Sequence, residues 1–251
     1  MSKQWLCSVV TTACVLATTP LGADTLKVVT DPSFVPFEMM DPATGRMTGF
    51  DMDILAAVAA RAGFDYSVST MDFNGIIPSL QTGNVDLAIA GITITAERRA
   101  IIDFSTPYYD SGLRILVRED DDRVHRIDDL EGLLVGTKLG STSYDFLLSE
   151  LGDSHGVVAY PDSHEMFNAL MAGDVDAVLF DAPNVGFFAR NRGEGHVKTV
   201  GPLYQGQQYG IAFRKDSDWL HEVNSALEEI RRDGTYRAIY EKWFDSLPEG
   251  R

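Results

Sequence analysis

Hydrophobic and polar positions along the chain follow strand spacing in some segments and helix spacing in others. Leu26 to Asp31 is a compact apolar strand that ends in an acid, and Gly49 to Gly63 has apolar residues at helical spacing before a glycine suited to a helix C-cap. Residues 73–99 contain a short helix pattern up to Gly83, an apolar strand, and a Thr-rich turn that begins a new helix. We therefore predict an α/β fold built from alternating strands and helices.

The same alternation continues to the end of the chain. Strands are predicted at 113–117, 133–138, 157–160, 176–181, 197–200 and 209–213, and helices at 143–151, 163–171, 182–191 and twice after Trp219. This order implies parallel sheets with helices on both faces. The segments SLQTGNVDLAIAG and ALMAGDVDAVLFD repeat one helix–Gly–strand pattern. The repeat suggests two lobes with a ligand cleft between them, although such loops are also common singly.

The first 23 residues differ in composition from the rest of the chain, which is 251 residues long and 45% hydrophobic. Lys3 is their only charge, and small residues precede Asp24, which is typical of a secretory signal peptide. We therefore expect residues 1–23 to be removed and the mature protein to lie in the periplasm. Cys7 and Cys14 both fall in this segment, so no disulfide, thiol nucleophile or cysteine-bound metal is expected. Lipidation at Cys14 is the less favoured alternative.

The charge balance narrows the range of partners. The formal net charge is -16, and it becomes -17 when the segment carrying Lys3 is removed. Such an acidic chain argues against binding to nucleic acid or to anionic membrane surfaces. The five histidines have no metal-ligand spacing, so we expect neither a metal nor a cofactor, and we expect a monomer.

The Thr-rich turn is the first candidate for binding chemistry. Backbone N–H groups at a helix start, the hydroxyls of Thr93 and Thr95, and the guanidinium of Arg98 are groups that can hold a carboxylate. The alternative is a simple capping turn followed by a solvated basic pair, Arg98 and Arg99.

Longer motifs make the interpretation more specific. They are GFDMDILAAVA, MDFNGIIPSLQTGNVDLAIAGITITAERR, IDFSTPYY, QQYGIAF and GTYRAIYEKWF. In these motifs, and over Leu26 to Phe244, the chain resembles the family 3 solute-binding proteins, which are periplasmic amino-acid-binding proteins of ABC importers. Glutamine-binding members share the strings TDxxFVPFE, MDFxGIIPxLQT and AGITIT. The resemblance implies a type II periplasmic-binding-protein fold, with two α/β lobes joined by a two-strand hinge.

The resemblance also implies boundaries for these parts. Lobe 1 would consist of residues 24–108 and 209–251, lobe 2 of residues 113–204, and the hinge of residues 109–112 and 205–208. Closure of the lobes around a ligand would then be a hinge motion.

The family's ligand site can be carried over residue by residue. Arg98 would bind the α-carboxylate, assisted by Thr93 and the backbone at Ala90 and Gly91. Asp181 would accept from the α-ammonium group. Without the resemblance, Asp181 reads as an ordinary helix N-cap, because Ala182, Pro183 and Asn184 follow it.

The remaining implied contacts concern the ligand's side chain and the second lobe. Phe34 and Phe73 would sandwich the aliphatic part, although without the resemblance such residues are more often core than ligand contacts. The turn formed by Gly140, Ser141 and Thr142 would donate from lobe 2.

Asp31 and Lys138 would read a side-chain amide, with Lys138 donating to its oxygen and Asp31 accepting from its nitrogen. Taken alone, Asp31 could form a strand-end Asx turn and Lys138 could be a solvated surface residue. Two positions depart from the glutamine-binding pattern. Phe180 stands where those proteins have histidine, and Thr142 stands where they have glycine.

These observations predict a binding protein that delivers L-glutamine to the membrane permease subunits of an ABC importer. Because of Phe180 and Thr142, glutamate, asparagine and histidine remain alternatives. A different class of relative is an exported dehydratase that acts on cyclohexadienyl acids. That chemistry needs a general acid, and the candidates Glu38, Asp31 and Asp181 are better used for binding. We therefore expect no enzymatic activity.

Overall fold

The computed structural model describes residues 25–152 and 156–244, so the predicted signal peptide and both cysteines lie outside the described residues. None of the described helices is long and apolar enough to cross a membrane. The strands are β1 Thr25–Thr30, β2 Met39–Met40, β3 Met47–Thr48, β4 Asp65–Thr70, β5 Leu87–Ala88, β6 Asp103–Phe104, β7 Tyr109–Arg118, β8 Val135–Lys138, β9 Val157–Tyr160, β10 Ala177–Asp181, β11 Val197–Tyr209 and β12 Ala212–Phe213. The helices are α1 Phe50–Ala62, α2 Phe73–Gln81, α3 Ala96–Ile101, α4 Thr142–Leu151, α5 Ser163–Ala172, α6 Ala182–Arg190, α7 Leu220–Arg232 and α8 Thr235–Trp243, with a 3₁₀ turn at Ile127–Leu130.

The strands form two five-stranded sheets, each covered by helices. The sheet of lobe 1 has the order β4-β1-β5-β12-β6, and the sheet of lobe 2 has the order β11-β7-β10-β8-β9. This arrangement confirms the predicted α/β class with two lobes. The prediction of purely parallel sheets is wrong, because β12 runs antiparallel to β5 and β6, and β7 runs antiparallel to β10 and β11. These strands belong to the segments that pass between the lobes, and no crossover helix sets their direction.

The two longest strands, β7 and β11, connect the lobes. They pair from Tyr109 opposite Tyr209 to Arg118 opposite Val197. β7 joins the segments predicted at 109–112 and 113–117, and β11 joins those predicted at 197–200 and 205–208 into one strand. The register of β11 against β7 shifts between Val200 and Tyr204 and again between Tyr204 and Gln207, so the joining residues form irregularities. The hinge positions and lobe boundaries given above stay predictions.

A short hairpin was not predicted. In the turn-rich segment after Glu38, Met39–Met40 pairs with Met47–Thr48. It lies next to α1 and becomes part of the rim of lobe 1.

Helix α1 follows its sequence pattern closely. Ile54, Leu55 and Val58 are fully buried, and Gly63 ends the helix in the left-handed conformation with its N–H bonded to the Ala59 carbonyl. Each such buried aliphatic side chain contributes roughly 1.5 to 3 kcal/mol. Asp51 lies on the same helix face and is also fully buried, which places a carboxylate within the core of lobe 1.

Candidate ligand-binding site

The ends of four strands meet where the two lobes face each other. Asp31 follows β1, the Ala90-Gly91 turn follows β5, and Lys138 and Asp181 are the last residues of β8 and β10. Between them lies a narrow cavity. It is lined by Asp31, Phe34, Phe73, Ala90, Gly91, Thr93, Arg98, Lys138, Ser141, Thr142, Phe180 and Asp181. All the predicted site residues except Gly140 are thus brought together, and Phe180 joins them.

Arg98 is held in the cavity wall by its helix and by both lobes. Thr95 caps α3 by accepting from the Arg98 backbone N–H at 3.1 Å, and Thr95 itself does not line the cavity. The guanidinium donates to the carbonyls of Thr93 at 2.9 Å and Gly140 at 3.0 Å. Arg98 is only 8% exposed, and burial lowers its pKa while nearby carboxylates oppose that effect. The solvated-pair alternative therefore holds for the exposed Arg99 and not for Arg98.

Asp181 occupies the N-cap position of α6 but makes no side-chain cap bond. Its carboxylate instead accepts from the Tyr209 hydroxyl at 2.5 Å. Burial raises the pKa of Asp181 to about 6, and the bond from Tyr209 and the charge of Arg98 act in the opposite direction. Tyr209, fully buried at the end of β11, escaped the sequence analysis. The capping role predicted as the alternative is not what this side chain does.

Asp31 and Lys138 form a buried ion pair across the lobes. Asp31 also accepts from the backbone N–H of Ser33 at 2.8 Å and from its hydroxyl at 2.7 Å, so the Asx-turn reading is correct as well. Lys138 donates to the Ser33 hydroxyl at 2.6 Å. Both charged side chains are 3% exposed or less, so the reading of Lys138 as a solvated lysine is wrong.

The turn after Lys138 was expected to donate to the ligand from lobe 2, but Gly140 has a different role. Gly140 has a φ of +76° and does not line the cavity, but its carbonyl accepts from Arg98. A Cβ placed there would lie 3.1 Å from the Cβ of Asn74 in lobe 1. Ser141 caps α4 through Tyr144, and its hydroxyl donates to the Lys138 carbonyl at 2.7 Å.

Three aromatic rings provide the apolar walls. Phe34 packs edge-on against Phe180 with ring centroids 5.6 Å apart, and the guanidinium of Arg98 lies 5.4 Å from the ring centroid of Phe73. Gly91 has a φ of +53°, and any Cβ there would overlap the ring of Phe34. Phe180, which stands where glutamine-binding members have histidine, is buried and faces the cavity.

A second pair of ionisable residues lies next to the cavity, and the sequence analysis did not identify it as a pair. Asp51 accepts from the Gly91 backbone N–H at 2.9 Å and from the Tyr108 hydroxyl at 2.8 Å. Glu38 is fully buried beside it. Burial raises the pKa of Glu38 well above its usual value and that of Asp51 to about 6. Burial and the neighbouring carboxylate of Asp51 both disfavour a charge on Glu38, so Glu38 is the acid of this pair that favours the protonated form.

This pair changes one expectation about the ligand turn. The backbone at Ala90 and Gly91 was predicted to assist Arg98 with a ligand carboxylate. The N–H of Gly91 donates to Asp51 and is therefore already engaged within lobe 1.

Similarity to known proteins agrees with this geometry. The L-cystine-binding protein TcyJ of Escherichia coli is 32% identical over 222 residues, which cover 88% of this chain and 82% of that protein. An ancestral arginine-binding protein, solved with glutamine and with arginine, is 42% identical, with TM-scores of 0.83 and 0.84 over 88% of this chain and 97 to 98% of those chains. An ancestral amino acid-binding protein that is a precursor of cyclohexadienyl dehydratase is 35% identical, with a TM-score of 0.80 over 88% of this chain and 95% of its own.

The family model gives the most direct result. It spans residues 26–246, which is most of the chain and includes both lobes and every residue of the cavity. The chain belongs to the bacterial extracellular solute-binding proteins, family 3.

Proposed function

We propose that the protein is the extracytoplasmic substrate-binding component of an ABC importer for a polar amino acid, with L-glutamine as the preferred ligand. The observation that carries the proposal is the pairing of Arg98 and Asp181 in one buried cavity. A free α-amino acid is a zwitterion, so a guanidinium and a carboxylate match its two charged groups. Leaving either charge unpaired in a closed cleft costs several kcal/mol, which disfavours ligands that lack one of them.

The ion pair of Asp31 and Lys138 supports a neutral side chain. Together the two groups carry no net charge, and they offer one acceptor and one donor. A carboxamide presents the complementary donor and acceptor. A glutamate side chain would place its carboxylate next to Asp31, and a lysine or arginine side chain would place its cation next to Lys138. Sites that hydrogen-bond a polar group reject analogues that leave these partners unpaired, by about 100-fold or more.

The relatives agree on polar amino acids and differ on the side chain. The compared proteins include binding proteins for cystine and for arginine, and the ancestral arginine-binding protein was also solved with glutamine. That protein accepts both a cationic and a carboxamide side chain. In this chain, Lys138 at the side-chain end favours the carboxamide.

Binding rather than catalysis is the function that the site residues support. Glu38, whose pKa is raised by burial, does not line the cavity and lies beside Asp51. The two acids that do line the cavity, Asp31 and Asp181, accept hydrogen bonds from Ser33 and Tyr209. We infer that the bound amino acid is released unchanged to the membrane permease.

The first experiment is thermal unfolding of the ligand-stripped mature protein with each standard amino acid, followed by calorimetry. Ligand at about a thousand times its Kd should stabilise the protein by roughly 4 kcal/mol. A strong shift with glutamine alone is the expected result. A shift with arginine or glutamate instead would contradict the assigned role of Asp31 and Lys138, and no shift with any amino acid would overturn the proposal.

A further inference from the structure

Gln207, on β11, is hydrogen-bonded to both walls of the cavity without lining it. Its Oε1 accepts from the Thr93 hydroxyl at 3.1 Å, and the Thr142 hydroxyl lies 3.2 Å from Oε1 and 2.9 Å from Nε2. Thr93 belongs to the anion-binding turn of lobe 1, and Thr142 begins α4 of lobe 2. A single amide, only 7% exposed, thus joins one threonine from each lobe.

A groove lies on the other side of these threonines. It is lined by Thr93, Ile94, Thr95, Thr142 and residues 205–208. Because Thr93 and Thr142 line both the groove and the cavity, they form the partition between them. The Thr93 carbonyl also accepts a hydrogen bond from Arg98, so the partition lies at the α-carboxylate end of the cavity.

The local backbone explains why Gln207 reaches this position. The register of β11 shifts between Tyr204 and Gln207, and Gln205 between them has a φ of +43°. Such an irregularity changes the direction of the following side chains. Side chains of consecutive strand residues point to opposite faces, so Gln208 is directed away and donates to Asp110 at 2.9 Å.

We propose that Gln207 is a specificity-determining positioning residue that excludes C-terminally extended ligands such as dipeptides. By holding Thr93 against Thr142, it closes the cavity directly behind the ligand's α-carboxylate. A residue attached through a peptide bond at that carboxylate would have to pass between the two threonines into the groove. The inference rests on the proposed function, because it assumes that Arg98 binds an α-carboxylate.

The test compares L-glutamine with L-glutaminyl-glycine by calorimetry in the wild type, Gln207→Ala and Gln208→Ala. The wild type should prefer glutamine by about 100-fold or more. Gln207→Ala should narrow this preference by at least about tenfold, because the partition can then open into the groove. Gln208→Ala, the matched control on the same strand, should keep the wild-type preference. Gln207→Asn, shorter by one methylene, should give an intermediate value.

The ratio of the affinities for glutamine and glutaminyl-glycine distinguishes two roles of Gln207. If Gln207 excludes the dipeptide, the ratio changes; if it only stabilises the contact between the lobes, both affinities change equally. Equal weakening of both ligands in Gln207→Ala, or no change in either, would overturn the inference. Failure of the wild type to bind glutamine would contradict the proposed function instead. The same ratio is then measured with the amino acid found by the thermal screen and its glycine-extended dipeptide.

Discussion

Two buried pairs of ionisable residues adjoin the cavity, and they differ in sign and in placement. Asp31 and Lys138 carry opposite charges and come from different lobes. Glu38 and Asp51 are both acids and lie within lobe 1. The first pair can exchange its partners for those of a ligand. The second must retain a proton, and it fixes the backbone of the turn at Gly91. The pair of opposite charges from two lobes is thus suited to binding a ligand. The pair of acids within one lobe is suited to holding the backbone of the binding site in place.

The largest expected effect comes from breaking the interlobe pair with Lys138→Met. Removing one partner of a buried ion pair costs about 3 to 5 kcal/mol, because the other charge is left unpaired. Calorimetry should show at least about 100-fold weaker glutamine binding, together with stronger arginine binding, since Asp31 then attracts a cation.

The control for this change is Lys198→Met, which breaks the exposed pair with Asp122. Surface pairs contribute about 0 to 1 kcal/mol, so its ligand affinities should match the wild type. If Lys138→Met keeps the wild-type order of amino acids, the proposed reading of the side-chain amide is wrong.

The second prediction concerns the like-charged pair and pH. Unfolded carboxyl groups lose their protons near about pH 4, whereas burial raises the pKa of Asp51 to about 6 and raises that of Glu38 well above its usual value. The folded chain therefore binds more protons above that pH, and the free energy of unfolding should fall as pH rises. Asp181 acts in the same direction. Glutamine at position 38 is neutral at every pH. Glu38→Gln should therefore reduce the change in the free energy of unfolding per pH unit by up to about 1.4 kcal/mol.

Urea unfolding between about pH 5 and about pH 8 measures this slope. Besides Asp51, the groups that act on Glu38 are Asp31, which raises its pKa, and Lys138, which lowers it, so these stay unchanged in the comparison. Glu228→Gln, at an exposed helix pair with Arg232, is the matched control and should leave the slope as it is. An identical slope in Glu38→Gln and the wild type would mean that Glu38 holds no proton.

The smallest effect is expected from Tyr108→Phe, which removes one of the two donors to Asp51. The loss should be about 1 kcal/mol in the free energy of unfolding, with glutamine affinity little changed. Tyr66→Phe, on the outer strand of lobe 1, provides the control. A loss of ligand binding as large as that of Lys138→Met would show that the two pairs are not functionally distinct.

The sequence predicted the cavity better than it predicted the groups behind it. Family motifs place Asp31, Arg98, Lys138 and Asp181 at strand and helix ends, and those positions are local features of the chain. The partners that fix them are distant in sequence. Tyr209 reaches Asp181 over 28 residues. Gln207 reaches Thr93 over 114 residues, and no local pattern encodes such a contact.

One missed residue did carry a signal. Asp51 stands three and four residues before Ile54 and Leu55 and seven before Val58, so it lies on the apolar face of α1. An acid at such a position is buried, and a buried acid needs partners. The identity of its partners still required the fold, because Gly91 and Tyr108 come from other elements.

Gly140 also bears on how far the two lobes approach each other. Asn74 of lobe 1 leaves room there for a hydrogen atom and little more, since a methyl carbon would lie 3.1 Å from its Cβ. A side chain at this position would act as a spacer between the lobes and keep Arg98 from the Gly140 carbonyl. The absence of a Cβ at Gly140 is therefore what allows the two lobes to approach this closely. Graded substitution here offers a way to adjust the working range of a sensor built on this scaffold without altering any group that lines its cavity.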